Sequence, residues 1–417
     1  MRSHLLCPRV LWSASLAVLS ACSGASGDAG VPPVGDLGLR RPVGPSEAGT
    51  RSNTPYLAAI GDSALLLSWT ERAADSSVAI KVGTWSPNDR TRPRTVVTGR
   101  PFFVNWADIP SVARLDDGAI AAHWLEREGT GKYAYGIRIA VSTDSGETWS
   151  APVTPHTDAL EAEHGFVSLW AADSGGIGAV WLDGRKSAMP DSTKEMTLRT
   201  ARIRRDGTLA DEAVLDTRIC DCCQTATART RAGRVIVYRD RSPTEVRDIG
   251  IVRQVDGRWT APALVHADGW TINGCPVNGP AVAARGDTVA VAWFTKARDT
   301  ARVNVATSVD GGATFAPPVR VDEGNPLGRV GVVLDDDALP IVSWMESGTT
   351  GFAHWYVRRI ARDGRRSATR DIAVETKERS SGFLKMARVR DSLVFFYTAQ
   401  GGPYNAMTVH VKTTAFK

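Results

Sequence analysis

The chain has 417 residues, of which 43% are hydrophobic, 23% charged and 7% aromatic. These fractions match an average soluble globular protein and argue against a disordered chain, a collagen or a protein with many membrane spans. The formal net charge of +5 is too small to predict a nucleic-acid partner. The 39 Gly, 22 Pro and 13 Trp residues favour many short strands and tight turns over long helices.

The first residues have the pattern of an export signal. Arg2 and Arg9 precede an apolar run over 10–19, and this run is too short to span a bilayer. The sequence LSAC at 19–22 resembles the bacterial lipobox, in which the cysteine becomes the acylated N terminus. The resemblance implies a lipoprotein signal peptide over 1–21, lipidation of Cys22 and a place in the bacterial cell envelope. An ordinary secretory signal is the alternative, and residues 22–36, rich in Gly, Ser and Pro, are predicted to be a flexible tether.

One unit recurs along the rest of the chain: an apolar strand, a Gly/Asp turn, a second apolar strand that ends in an aromatic residue, and a polar loop. A period near fifty residues predicts an all-β fold, a single β-propeller of four-stranded antiparallel blades over 37–417. Seven blades is the preferred count and six is the alternative. The last unit has room for three strands, so we expect Leu37–Val43 to supply its fourth. The repeated aromatic residues are Trp69, Trp124, Trp181, Tyr238, Trp293, Trp344 and Tyr397.

Two turns of the repeat carry a known motif. Residues 142–149 read STDSGETW and residues 308–315 read SVDGGATF, and both fit the Asp-box pattern S-x-D-x-G-x-T-W/F. The chain therefore resembles the sialidase and BNR-repeat superfamily of β-propellers. Asp144 and Asp310 are expected to stabilise their turns, because an Asp side chain accepts backbone N–H bonds and Gly takes the positive-φ position. Function is then expected on the opposite face of the propeller.

On that face, charged residues follow the repeated aromatic residues or precede the first strands. Carboxylates interleaved with guanidinium groups suit an anionic or heavily hydroxylated ligand. The alternative is that these groups pair with each other and tie the blades together. The candidate ligand-binding residues are Arg72, Arg127, Arg185, Arg241, Arg329 and Asn278, and the candidate catalytic residues are Asp108 as acid/base with Glu71, Glu126 or Asp183.

The resemblance to sialidases implies three arginines for the sugar carboxylate, a Tyr–Glu nucleophile and an Asp acid/base. The Arg-Ile-Pro motif that carries the first arginine is absent, since residues 108–110 read Asp-Ile-Pro. Tyr397 occupies a repeated packing position and is a poor nucleophile candidate. Whether the chain is an enzyme therefore stays open. The preferred interpretation is a membrane-anchored, monomeric propeller that binds a glycan or another anionic or polyhydroxylated ligand at its mouth. The alternative is an exo-α-sialidase or a related hydrolase of acidic sugars.

Apart from Cys7 in the leader and the lipidated Cys22, four cysteines remain, and they are grouped at the starts of two first strands. Cys220, Cys222 and Cys223 precede one blade and Cys275 precedes the next. Two disulfides that lock adjacent blades are the preferred interpretation for an oxidising compartment. A thiolate site for Cu(I) or Zn is the alternative, and a redox role is a weaker third idea. Otherwise no cofactor is expected.

Overall fold

The computed structural model describes residues 51–412 except 88–90, 173–174, 191–192, 349–350 and 400–404. The signal peptide (1–21), the lipidated Cys22, the tether (22–36) and the strand predicted at Leu37–Val43 lie outside the described residues. Within the described part, no helix combines the length and apolar character needed to cross a membrane.

The described residues form seven antiparallel sheets, each from consecutive strands. The first has β1 (Ser52–Ile60), β2 (Ala64–Arg72), β3 (Val78–Trp85) and β4 (Arg94–Gly99), and the second has β5 (Ser111–Arg114), β6 (Ile120–Arg127) and β7 (Tyr135–Ser142). The third has β8 (His164–Ala172), β9 (Gly176–Asp183), β10 (Met196–Ile203) and β11 (Leu209–Ile219). The fourth has β12 (Ala226–Arg229), β13 (Arg234–Arg239), β14 (Ile249–Val255), β15 (Arg258–Trp259) and β16 (Ala263–His266).

The fifth sheet has β17 (Ala281–Arg285), β18 (Thr288–Thr295), β19 (Arg302–Ser308) and β20 (Val319–Arg320), and the sixth has β21 (Pro326–Leu334), β22 (Pro340–Ser347), β23 (Phe352–Arg359) and β24 (Arg370–Thr376). The seventh has β25 (Lys385–Val389), β26 (Ser392–Ala399) and β27 (Asn405–Lys412). The helices within this part are α1 (Arg185–Ala188) and two 3₁₀ turns, Ala297–Asp299 and Arg379–Ser381.

Six of these sheets are four-stranded blades. In the second sheet, the position of the fourth strand is occupied by a single β-bridge between Ile139 and Val153. In the fourth sheet, β15 and β16 both pair with β14 and together form its outer strand. The seventh sheet has three strands in the described part of the chain. The predicted all-β propeller of antiparallel blades is confirmed. The six four-stranded blades correspond to the alternative count, and the three-stranded sheet is the seventh unit of the repeat.

The first strands of successive sheets contact one another around a ring, and β25 contacts β1. An apolar cluster that includes Leu57, Trp69 and Phe396 joins the last sheet to the first blade. Within it, the rings of Trp69 and Phe396 meet edge to face with centroids 6.4 Å apart. The hydroxyl of Thr398 also donates to Asn53 Oδ1 at 3.0 Å. The ring therefore closes between the first and last sheets.

The second strand of each blade is buried on both sides, because each sheet packs between two neighbours. Every residue of β9 is buried, which explains why these strands read as continuous apolar runs rather than as an alternating pattern. Five tryptophans lie two or three residues before the ends of such strands and are at most 2% exposed, which confirms that they pack between blades; they are Trp69, Trp124, Trp181, Trp293 and Trp344.

The two Asp boxes have the same set of hydrogen bonds. Asp144 accepts from the hydroxyl of Ser142 at 2.8 Å and from the backbone N–H and the hydroxyl of Thr148 at 2.9 and 2.6 Å. Asp310 accepts the same three bonds from Ser308 and Thr314 at 2.6, 2.9 and 2.6 Å. The side-chain hydroxyl of Thr148 is the leading cause that lowers the pKa of Asp144 to about 2. Both boxes thus have the hydrogen bonds within the turn that their residue types predict, and their contribution to stability stays a prediction.

We expect Asp310→Ala to lower the free energy of unfolding by about 1 kcal/mol, because the turn loses three hydrogen bonds to an ionised acceptor. Urea denaturation of the variant at neutral pH measures the change. Asp62→Ala is the matched control, since Asp62 is another exposed turn aspartate. Equal stability of the two variants would contradict a structural function of the box.

Candidate functional site

A cavity of about 270 Å³ lies on the propeller axis, where the first strands of the sheets face one another. Asp108, Phe166, Gln224 and Lys385 are among the residues that line it. Burial lowers the pKa of Lys385 to about 8. The cavity therefore brings an acid and an amine from different blades to one buried space.

Gln224 links three blades at this level. Its side-chain N–H donates to the carbonyl of Ala107 at 2.8 Å, and its Oε1 accepts the backbone N–H of Gly279 at 3.1 Å. These bonds hold the start of the fourth blade to the segment before the second blade and to the start of the fifth.

Beside the cavity lies a cationic cluster, which we define as Arg329, Arg379 and Lys385 with the rings of Trp106 and Phe383. The two rings stack with centroids 5.7 Å apart and planes 9° from parallel. The guanidinium groups of Arg329 and Arg379 lie 5.3 and 5.9 Å from the Trp106 ring, and Lys385 Nζ lies 5.7 Å from that of Phe383. Three cations from two adjacent blades thus share one aromatic platform.

The cations of this cluster are not neutralised by carboxylates. Arg329 is 7% exposed, and its guanidinium donates to the carbonyls of Gly382 and Glu378 at 2.9 and 3.1 Å. Among the described residues, no carboxylate lies within ion-pair distance of Arg329, Arg379 or Lys385. Burial, and then the charge of Arg379, lower the pKa of Arg329 to about 10. The cluster therefore holds uncompensated positive charge.

An acidic cluster, which we define as Asp108, Tyr135 and Glu163, lies on the same mouth. The hydroxyl of Tyr135 lies 2.8 Å from Glu163 Oε1 and 3.2 Å from Asp108 Oδ2. Asp108 Oδ1 accepts the backbone N–H of Phe166 at 2.8 Å. Desolvation is the leading cause that raises the pKa of Asp108 to about 8 and that of Glu163 to about 7. A protonated Asp108 beside a titrating Glu163 is the arrangement expected of a general acid with a partner carboxylate.

The other three candidate carboxylates have a repeated contact with the preceding tryptophan. The indole N–H donates to the residue two positions later, at 2.8 Å to Glu71, 2.8 Å to Glu126 and 2.9 Å to Asp183. The same bond joins Trp344 to Glu346 at 2.6 Å. This bond gives the rim carboxylates a structural function, and their catalytic function stays a prediction.

Several candidate arginines pair with carboxylates of their own blade. Arg185 donates two bonds of 2.7 Å to Asp183, and Arg241 donates bonds of 3.0 and 2.8 Å to Glu245. Both arginines therefore pair with carboxylates of the rim, as the alternative interpretation of the sequence predicts. Arg72 is exposed and donates to the carbonyl of Ser76 at 3.4 Å.

The last two candidates have local packing contacts. The guanidinium of Arg127 lies 5.3 Å from the ring of Phe103. Asn278 Oδ1 accepts the backbone N–H of Arg329 at 2.7 Å, so it positions the strand that carries Arg329. Of the six predicted ligand-binding residues, Arg329 is the one that the structure brings to the cationic cluster.

The four cysteines among the described residues form one disulfide rather than two. Cys222 is bonded to Cys275, while Cys220 and Cys223 are buried free thiols. The bond across two blades agrees with the preferred interpretation. The second bridge is wrong for this structure, because a bond from Cys275 to Cys222 leaves Cys220 and Cys223 as thiols with sulfurs 3.4 Å apart.

Among the described residues, four groups of donor atoms could hold a metal ion, and they fall at two places, two groups at the cysteines and two at His164. One is the cysteine cluster, where the sulfurs of Cys220, Cys222 and Cys223 lie close together, but Cys222 is already in the disulfide. The other has His164 between Asp158 and Asp183. Arg185 already pairs with both of these aspartates, at 3.0 and 2.7 Å, so a cation occupies the place that a metal ion would take.

Sequence reasoning missed Tyr135, Glu163, Trp106 and Arg379. Glu163 directly precedes a first strand, as Asp108 nearly does, and that shared position was the available signal. Arg379 lies in a 3₁₀ turn between blades, where no periodic pattern marks it.

The comparisons with known proteins bear on the fold. No family model and no curated protein matches the sequence. Among solved structures, a Penicillium chrysogenum α-L-arabinanase complexed with arabinobiose aligns over 91% of this chain and 99% of its own, at 12% identity and a TM-score of 0.50. The chain shares the β-propeller fold of that enzyme. The β-propeller fold that the Asp boxes imply is thereby confirmed.

Two further solved structures are similar to this propeller. A mutant of the NanB sialidase from Streptococcus pneumoniae aligns over 89% of this chain and 94% of its own, at 10% identity and a TM-score of 0.45. A GH93 α-L-arabinofuranosidase of Fusarium graminearum complexed with arabinobiose aligns over 91% and 99%, at 12% identity and a TM-score of 0.47. At such identities the likeness concerns the fold alone.

We expect Glu346→Ala to lower the free energy of unfolding by about 2–4 kcal/mol, because one buried donor and two part-buried donors lose their acceptor. These are the indole of Trp344 and the backbone N–H groups of Glu323 and Asn325, at 2.6, 3.0 and 2.7 Å. Urea denaturation measures the loss. Glu126→Ala is the matched control and should cost less, since the Glu126 side chain is 25% exposed. A smaller loss for Glu346→Ala would contradict this account.

We expect Asp108→Asn to change how stability depends on pH. The folded state raises the pKa of Asp108 from 3.8 to about 8, so the folded protein keeps a proton that the unfolded chain releases between these values. The free energy of unfolding of the wild type therefore falls as the pH rises through this window and levels off above it. Asparagine removes this contribution.

Urea midpoints of the wild type and of Asp108→Asn, measured from pH 4 to 9, test this expectation, with the stability of the variant relative to the wild type increasing toward pH 8. Glu163→Gln should show the same sign, with its change complete nearer pH 7. A difference between Asp108→Asn and the wild type that is independent of pH would show that Asp108 ionises normally.

Proposed function

We propose that this protein is an extracytoplasmic, membrane-anchored propeller that binds an acidic glycan at its mouth. The observation that carries the proposal is the cationic cluster, an aromatic platform with three unpaired cations beside the acidic cluster. The lipobox-like sequence supports the anchor and the envelope location.

The cationic cluster has the chemistry of an anion site. The charge of Arg379 helps to lower the pKa of Arg329, so the two guanidinium groups repel each other. A bound carboxylate relieves this repulsion and accepts paired N–H bonds from a guanidinium. Because Arg329 is buried, its attraction for an anion is screened less than that of a surface arginine.

The aromatic platform suits the sugar ring that carries such a carboxylate. Trp106 is half-buried and Arg379 is exposed, so one edge of the platform is open to a ligand while Phe383 supports it from within. A sugar that lies on this platform presents its hydroxyls to the acidic cluster, because Trp106 and Asp108 are two residues apart in the chain. The two clusters together thus fit a ligand that is both anionic and polyhydroxylated.

The alternative is a hydrolase of acidic sugars, and the acidic cluster favours it. Since the Tyr135 hydroxyl lies 2.8 and 3.2 Å from the two carboxyl oxygens, those oxygens are at most 6.0 Å apart. Retaining glycosidases have carboxyl groups about 5–5.5 Å apart, and inverting enzymes about 6.5–9.5 Å apart. A hydrolase with this pair would therefore retain the anomeric configuration, with Asp108 as the acid and Glu163 as its partner.

The test is binding of the full chain to an array of sialylated and uronic-acid oligosaccharides, with neutral oligosaccharides beside them. We expect binding of acidic glycans that weakens with added salt and falls at least about tenfold in Arg379→Ala, since a charge-assisted contact contributes about 1.5–3 kcal/mol. Arg365→Ala is the matched control, because Arg365 is an exposed arginine in a turn on the Asp-box face. Absence of acidic-glycan binding, or an equal loss in both variants, would overturn the proposal.

Hydrolysis of fluorogenic sialosides and uronides separates the two candidate functions. Turnover that is lost in Asp108→Asn and in Glu163→Gln, with glycan binding retained, would favour the hydrolase. Binding without turnover in the wild type would favour the binding protein.

A further inference from the structure

We infer that the four cysteines form a thiol–disulfide relay, in which Cys220 attacks the disulfide Cys222–Cys275 and releases Cys275 as a reactive surface thiol. The inference concerns a different part of the mouth from the cationic cluster and does not depend on glycan binding.

The sulfur atoms are arranged for this exchange. The sulfur of Cys220 lies 3.8 Å from that of Cys222, which is van der Waals contact between a nucleophile and the disulfide. Cys220 and Cys223 are each 1% exposed, whereas Cys275 is exposed. The attacking group is therefore shielded from solvent, and the group that leaves is open to it.

The surroundings of Cys220 favour a thiolate. Arg247 donates to the Cys220 sulfur at 3.2 Å. Arg239 is 1% exposed, and its guanidinium donates to the carbonyls of Asn278, Arg247 and Phe294. No carboxylate within the described part of the chain lies at ion-pair distance from Arg239. A buried guanidinium without a carboxylate is costly, and a neighbouring thiolate supplies the missing negative charge.

Cys223, the hydrogen-bond partner of Cys220, also lowers the pKa of the Cys220 thiol. The thiol of Cys223 is the largest cause that lowers the pKa of Cys220 to about 6, with Arg239 and Arg247 adding to it against the cost of burial. Burial raises the pKa of Cys223 itself. Cys220 and Cys223 thus share one hydrogen bond, with their sulfurs 3.4 Å apart.

The step conserves atoms and electrons. The thiolate of Cys220 forms a bond to the Cys222 sulfur, the Cys222–Cys275 bond breaks, and its electron pair leaves with the Cys275 sulfur. One disulfide and one thiolate are present before and after, so no oxidant or reductant is consumed. The negative charge moves from the interior beside Arg247 to the surface at Cys275.

The released thiolate can react with an external disulfide of the low-molecular-weight class. Cys275 then forms a mixed disulfide with one half of that molecule, and the other half leaves as a thiolate. Cys275 is accordingly a site of reversible S-thiolation, and the buried cysteines control its availability.

The test is alkylation of the folded, full-length protein with excess iodoacetamide, followed by acid quench and peptide mapping. We expect label on Cys275 and a new Cys220–Cys222 disulfide. In Cys220→Ser, Cys275 should be labelled at least about tenfold more slowly, and Cys222–Cys275 should persist, because the nucleophile is missing. Oxidised glutathione in place of iodoacetamide should add one glutathionyl group to Cys275 of the wild type.

Cys223→Ser changes the hydrogen-bond partner of Cys220 but leaves the nucleophile in place, so labelling of Cys275 should slow but continue, with a Cys220–Cys222 disulfide still formed. Arg247→Gln is a second variant that leaves all four sulfurs in place and should slow labelling. Unlabelled Cys275 in the wild type, or equal labelling in Cys220→Ser, would overturn the relay. So would a Cys220–Cys223 disulfide, stoichiometric zinc or copper with four thiols, or label entering Cys220 and Cys223 as fast as Cys275, which would indicate unfolding.

Discussion

The hydrogen bond between an indole and a carboxylate at the end of the second strand is the contact on which the rest of this propeller depends. The tryptophan is large enough to fill the space between neighbouring blades, but its N–H group cannot be left unsatisfied there. A Glu or Asp two residues later provides the acceptor at the point where the strand meets the mouth, as Trp124 and Glu126 show. The packing of the blades therefore dictates that carboxylates line this face.

This constraint explains which charges on the mouth are available to a ligand. Carboxylates that accept an indole N–H attract arginines of their own blade, as Asp183 attracts Arg185, and those arginines are neutralised. The cationic cluster lies at the starts of the sixth and seventh sheets. In the sixth sheet, Glu346 accepts the indole N–H of Trp344 and two backbone N–H groups, and among the described residues it forms no ion pair with an arginine. Function is therefore to be sought where the repeat is broken, at Arg329 and Arg379, rather than where it is regular.

The fold was predictable from the sequence because successive blades bury the same kinds of residue at the same positions. Seven aromatic residues, five of them tryptophans, recur at nearly equal spacing, and the two Asp boxes have fixed hydrogen bonds that follow from their residue types. The site was less predictable, since it depends on contacts between blades that no local pattern encodes. Asp108 was recognised, but Tyr135 and Glu163 meet it across 27 and 55 residues of chain. The pairing of Cys222 with Cys275 was likewise open until the structure placed the sulfurs.

Gln224 connects the loop that carries the cysteines to the segment that carries the acidic cluster. Its side chain holds the segment before Asp108 on one side and the start of the fifth blade on the other, and it follows Cys223 directly in the chain. A displacement of the 220–223 loop consequently moves the backbone that carries Trp106 and Asp108. Any coupling transmitted by these contacts is reciprocal: if a change at the cysteines alters the equilibrium at the acidic cluster, a change at the acidic cluster alters the equilibrium at the cysteines by the same free energy.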